Sequence, residues 1–182
     1  KILAILVIIA ITIPCISGSK KPSKTTESEP IPITVLLQPT IESVYDSLHL
    51  DQKGLSKVAF DYAINGYKEL KQKGMLHNDS IITIVDFDQP SYNKRMYIFD
   101  VKNFKMLFNT WTAHGRNTGQ ETAKYFSNRP QSYQSSLGFY LTDKSYNGKN
   151  GYSLKLIGLE KENSNAMNRA IVLHGAPYVS QR

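Results

Sequence analysis

Residues 81–113 read IITIVDFDQPSYNKRMYIFDVKNFKMLFNTWTA, and their rhythm decides the fold class. Three runs, Ile81 to Phe87, Arg95 to Val101 and Phe104 to Ala113, are crowded with β-branched and aromatic side chains. Such side chains suit a pleated, half-buried surface better than a helix, where branching at Cβ costs rotamer freedom. Gln89, Pro90 and Ser91 divide the first pair of runs, and Lys102 and Asn103 the second, which predicts consecutive hairpin strands. Downstream the pattern returns at Leu137 to Thr142 and at Tyr152 to Leu159, joined by a turn containing Asn147, Gly148, Asn150 and Gly151. A last strand, Arg169 to Leu173, delivers His174 and Gly175 at its end. Upstream, Val58, Ala59, Tyr62, Ala63 and Leu70 fall near helical spacing. Ser56 is placed to cap them, Lys71 and Lys73 fall in the last turn and Gly74 lies beyond, so a helix is expected over about 57–73. The expectation is a mainly β domain with an N-terminal helix, and no internal repeat is visible.

The N-terminal forty residues differ in character. Ile2 to Ile16 is almost wholly apolar and closes on Cys15, Ile16, Ser17 and Gly18. A spanning helix needs about 20 apolar residues. A secretory segment ending in small residues fits better, so residues 1–18 are read as a signal peptide or an N-terminal anchor that attaches the protein to a membrane. Either places the domain outside the cytoplasm. Cys15, the single cysteine, leaves lipid attachment and plain export as open alternatives, and no disulfide can form within the mature chain. Residues 19–40 hold four of the eight prolines among Ser, Thr, Lys and Glu, which reads as a flexible tether. Residues 41–182 remain as one domain. The sequence starts at Lys1 without a methionine and stops at Arg182 just after a strand and a loop, so a fragment is expected.

With 182 residues and 41% hydrophobic side chains, one real core can be buried and hardly two. Ordinary apolar content and a single long apolar run exclude a disordered chain and a multi-span membrane protein. The net charge of +7 is interleaved through the chain and lacks the clustered basic and aromatic stripe of a nucleic-acid surface. There is no Gly-x-Ser-x-Gly elbow, no phosphate-cradling glycine loop, no His-Glu-x-x-His and no cysteine cluster, so no cofactor or metal is expected. A metal site would need His114, His174, Asp86 or Asp88 to converge by fold alone.

Chemistry is sought in the long polar stretch from His114 to Ser136, because a loop of that length inside a compact domain is functional or disordered. His114, Gly115, Arg116 and Asn117 put a ring, a cation and an amide together directly after a strand. The guanidinium fork of Arg116 suits a carboxylate, and Asn117 supplies a donor and an acceptor. Anchoring of the loop competes with substrate contact as an explanation of all of them. Ser127, Asn128, Ser135 and Ser136 add hydrogen-bonding groups of a kind that loops use anyway. His174 holds a titratable ring where Gly175 lets the backbone turn, and a satisfied buried histidine is the rival explanation. His49 and His77, near helix ends among polar residues, read as solvated surface groups.

Taken in order, Ala113-His114-Gly115-Arg116-Asn117-Thr118-Gly119, Phe126-Ser127-Asn128, Ser135 to Tyr140, Gly151 to Leu154 and His174 to Ser180 resemble the murein L,D-transpeptidase catalytic domain family, a YkuD-like group. The resemblance covers about residues 42–182. It implies a β-sandwich-like catalytic fold and acyl transfer on peptidoglycan stem peptides in the periplasm or cell envelope of a bacterium. In that family a cysteine thiolate attacks the carbonyl of the third stem residue and expels the terminal D-alanine. An amine of a neighbouring stem or water then takes the thioester, giving a crosslink or carboxypeptidase action. His174 matches the family's histidine and is assigned the base role, with Gly175 letting the nucleophile loop approach. His114, Gly115, Arg116, Asn117, Ser127, Asn128 and Ser136 are read as substrate-side groups.

The sequence departs from the family at its end. The Ser-x-Gly-Cys block expected shortly after the His-Gly-Ala segment is absent, which places the nucleophile beyond Arg182 and leaves the fold incomplete at the C-terminus. Residues 1–182 alone are therefore expected to be inactive. A wall-binding module that kept its groove and lost its chemistry is the rival expectation, and a metal-dependent peptidase is a third.

Overall fold

The computed structural model describes residues 5–9 and 40–179. Its strands are β1 (Ile5–Ile9), β2 (Ile81–Asp86), β3 (Met96–Asp100), β4 (Lys105–Thr110), β5 (Gly138–Gly148), β6 (Gly151–Gly158) and β7 (Val172–His174). Two helices, α1 (Val44–Ser47) and α2 (Lys57–Gln72), precede β2. The strands form one sheet in the order β4-β3-β2-β1-β5-β6-β7. Within it, β2, β3 and β4 make one antiparallel meander and β5, β6 and β7 another. The mainly β class with a helix before the first hairpin is as expected from the sequence.

The two meanders meet through β1, antiparallel to β2 and parallel to β5. Five residues of the run read as an export segment are thus an inner strand, with Val7 opposite Ile84 on one side and Phe139 on the other. Leu6 to Ile9 are three-quarters isoleucine and valine by type, which suits a ladder that satisfies backbone groups on both sides. The same residues cannot at once pair in the sheet and lie in a membrane-buried helix. No helix among the described residues is long and apolar enough to cross a membrane. The remainder of residues 1–18 with Cys15, the tether up to residue 39, and residues 180–182 lie outside the described residues.

Helix α2 forms where its period requires. Ser56 caps it by accepting from the Ala59 N–H at 3.0 Å, and Ala59, Phe60, Ala63, Ile64, Tyr67 and Leu70 make its buried stripe. That stripe covers one face of the sheet, where Ile82 and Ile84 of β2 meet Tyr97 and Phe99 of β3. Because side chains alternate across a strand, Val85 and Met96 fall on the other face. There they pack with Phe87, Phe126, Leu137 and Leu173 under the long loop.

Two boundaries differ from the sequence expectation. β5 runs on to Gly148 because its polar half pairs with β6, from Ser145 opposite Leu154 to Gly148 opposite Gly151, the end from Asn147 and Tyr152 onward reaching past β7 as a two-stranded ribbon. Backbone pairing there needs no apolar face. The last strand starts at Val172 and includes His174, while Arg169 lies before it in a turn.

Candidate active site

Residues 113–137 cross the sheet face opposite α2 without regular structure, held by individual hydrogen bonds such as Asn117 N–H to the Tyr133 carbonyl and Ser135 N–H to Thr118 Oγ1. At the centre is Arg95, fully buried although charged. Its guanidinium donates to the Thr112 carbonyl from Nε and Nη2 (3.2 and 3.0 Å), to the Gln89 carbonyl (2.9 Å) and to His114 Nδ1 (2.9 Å). Burial pulls its pKa down to about 10, opposed by the nearby Asp86, so it remains a cation at neutral pH.

Arginine has no acceptor atom, so His114 Nδ1 must be the acceptor and Nε2 must carry the proton. Nε2 donates to the carbonyls of Gly119 and Gln120, each at 3.1 Å. Burial pushes the His114 pKa down, the Gly119 bond opposes this, and the Arg95 cation lowers it further. Both ring nitrogens are thereby committed to holding the loop. Gly115 is required for close approach: a Cβ there would meet the Tyr133 carbonyl oxygen at 2.4 Å, while its N–H donates to Ser135 Oγ at 3.0 Å.

Between this loop and residues 168–178 lies a cleft of about 670 Å³. Of the residues singled out from the sequence, it brings together His114, Gly115, Arg116, Ser135, Ser136 and His174. Asn117, Ser127, Asn128 and Gly175 do not line it. Asn117 Nδ2 donates to the Ser132 carbonyl at 2.9 Å, and Ser127 Oγ accepts from the Arg129 N–H at 3.0 Å. Asn128 binds the 161–165 segment through both ends of its amide. These three hold the loop in shape. A Cβ on Gly175 would meet nothing within 4 Å, so no crowding there calls for glycine.

His174 stands half-buried at the end of β7, with Nδ1 2.8 Å from the Gly175 carbonyl oxygen. A carbonyl only accepts, so Nδ1 carries the proton, and in the neutral ring Nε2 is the nitrogen left with a lone pair. Arg116 is exposed, and its guanidinium carbon lies 3.7 Å from the centre of the Tyr133 ring. Ser136, buried at the floor, places its hydroxyl 2.9 Å from the Tyr140 hydroxyl and 3.2 Å from Arg169 Nη1. Arg169 also donates to the Ser127 and Gln134 carbonyls and to Ser132 Oγ, gathering the loop over the cleft. Among the described residues no aspartate or glutamate lines this cleft, and Arg116 and Arg169 give its described lining a cationic character.

Gln131, Tyr133 and Ala170, three of the five positive-φ non-glycine residues among the described residues, line the same cleft. Each such conformation costs on the order of 1 kcal/mol and persists where surrounding contacts over-determine it. Arg95, Arg169, Tyr133 and Tyr140 escaped the sequence reading. The signal for the two arginines was a charge at the mouth of a strand-like apolar run.

No curated protein matches the chain, and no solved structure does. A family model described as the L,D-transpeptidase catalytic domain matches residues 51–182, which takes in α2, all strands from β2 to β7, the anchored loop and His174. With most of its length matched and the mainly β sheet in place, the chain belongs to the L,D-transpeptidase catalytic domain family.

Proposed function

We propose that the complete protein is an exported enzyme of the bacterial cell envelope that modifies peptidoglycan, by cysteine-dependent L,D-transpeptidation or L,D-carboxypeptidation of stem peptides. Family membership supports peptidoglycan as the substrate. The observation that carries the reading further is the cleft, free of carboxylates among the described residues, with Arg116 at its rim and His174 Nε2 at its side. A stem peptide carries free carboxylates, and a cationic cleft without acidic side chains favours them.

In this reading His174 Nε2 takes the proton of a cysteine thiol, and the thiolate forms a C–S bond to the amide carbonyl of the third stem residue. As the amide C–N bond breaks, the imidazolium returns the proton to the departing D-alanine amine. An amine or water then attacks the thioester, losing its proton to His174 while the C–S bond breaks and the thiolate is restored. Cys15 is the only cysteine of the 182 residues and lies outside the described residues. We assign the nucleophile to a cysteine elsewhere in the complete protein, so that residues 1–182 alone bind stem peptides without turning them over.

The test is incubation of the complete protein with a tetrapeptide stem, followed by intact mass spectrometry. A thioester adduct with loss of D-alanine is expected, and His174→Ala should lower acylation by at least a hundredfold with the circular dichroism spectrum unchanged. Binding of the peptide with neither adduct nor D-alanine release would make the protein a wall-binding module. Wild-type acylation in His174→Ala would remove that residue from the mechanism.

A further inference from the structure

Arg169 lines the cleft as a cation without a carboxylate partner among the described residues. We propose that its guanidinium binds a carboxylate of the donor peptide and thereby sets a preference of the cleft for acids over amides. The proposal rests on reading that cleft as the donor site.

The guanidinium is held in place through both terminal nitrogens. Nη1 donates to the Ser127 carbonyl at 2.5 Å and to Ser136 Oγ at 3.2 Å, while Nη2 donates to Ser132 Oγ at 3.1 Å and to the Gln134 carbonyl. The backbone that carries it is tied as well. The Arg169 N–H donates to the Asn165 carbonyl and the Ile171 N–H to the Ala166 carbonyl, each at 2.9 Å. Ala170 between them has a φ of +53°, a conformation that persists where neighbouring contacts enforce it. All the acceptors on the guanidinium are neutral, and its Nε–H makes no hydrogen bond among the described residues. Glu160, whose charge acts on the Tyr140 hydroxyl together with that of Arg169, accepts from the Phe139 N–H at 2.9 Å.

A charge withdrawn from water calls for a counter-charge as well as hydrogen bonds. Arg169 has the bonds, and no aspartate or glutamate among the described residues lines the cleft to supply the charge. A ligand carboxylate completes it. Arg116, the other arginine of the lining, is placed differently, since it is exposed and stacked on Tyr133, where solvent screens it. Arg116 therefore draws an acid towards the cleft, and half-buried Arg169 retains it. Charges interact more strongly where the dielectric is low, and a fork already held in place loses little entropy on binding. A stem peptide offers such a carboxylate at its terminal D-alanine and, where the third residue is a diamino diacid, on that side chain.

The complete protein, with its thiols capped as methyl disulfides to halt turnover, is titrated with the tetrapeptide stem and with the same peptide amidated at its terminus or at the third side chain. The reporter is the Nε–H NMR signal of Arg169, assigned by its loss in Arg169→Lys. A saturable shift is expected with the free acid, and binding weaker by about tenfold or more for an amide identifies the carboxylate that Arg169 holds. Arg169→Met should bring acid and amide within about twofold of each other, whereas Arg116→Met should keep the preference and slow association. Equal binding of all three peptides by the wild type, an Arg169 signal that does not move, or a full preference retained in Arg169→Met overturns the proposal. Should Arg169→Met fail to fold, the wild-type titration decides alone. Release of D-alanine is then followed without the cap. A protein whose Arg169 signal shifts and which releases none keeps its carboxylate site and loses the donor chemistry.

Discussion

His114 and Arg95 show at the scale of single residues how one buried pair fixes a whole loop. The ring accepts from the guanidinium and donates to two carbonyls, an arrangement that protonation would destroy. Its pKa in the folded chain is pushed below the ordinary 6.5, first by burial. The unfolded chain therefore binds a proton at this ring that the folded chain refuses, and stability falls as pH drops below about 6.5. Above that value the contribution of the group is complete. Urea midpoints at pH 7.5 and pH 5.5 measure it: the wild type should lose more stability between them than His114→Asn does. An equal loss in the two proteins would refute the neutral Nε2–H ring. From the sequence, His114 stood between loop anchor and substrate contact, because a histidine after a strand looks the same in either role. Its ring nitrogens bond partners that hold the loop, 19 residues away at Arg95 and 5 to 6 residues away at Gly119 and Gln120, while the ring also lines the cleft.

Among the elements, α2 was legible to within a residue, since its cap, period and C-terminal glycine all agreed. Its energetic weight comes from the buried face. Phe60, 1% exposed, sits 5.3 Å from the Tyr45 ring and 6.3 Å from the Phe99 ring, centre to centre. Phe60→Ala should cost about 3–5 kcal/mol in chemical denaturation, because its two aromatic neighbours cannot collapse into the space left. A loss under about 1 kcal/mol would mean that α2 is not packed on the sheet in this way. The outer half of β5 was not legible. Residues 143–148 carry no apolar alternation, and only pairing with β6 makes them a strand.

At the scale of the whole molecule, the sheet depends on a strand from the far end of the chain. The β2 and β5 ladders do not pair with each other, and β1 supplies the hydrogen bonds between the two meanders. Proline at an inner strand position removes a ladder N–H and is tolerated only at edges. Val7→Pro should therefore lower stability by about 1–3 kcal/mol, the cost of leaving a ladder group unpaired, read as a fall in the thermal midpoint. An unchanged midpoint would mean that the meanders hold together without β1. By itself the sequence determined the class, the helix, the core strands and the family, because period, turn residues and the order of motifs are local properties of the chain. It also marked His174 and the His114 to Ser136 loop as the place to look. Tertiary structure alone decided that Ile5–Ile9 pairs inside the sheet and that Arg95 and Arg169 organise the loop. Each of these depends on contacts between residues far apart in sequence, and no local pattern encodes which distant group a strand edge or a buried guanidinium will meet.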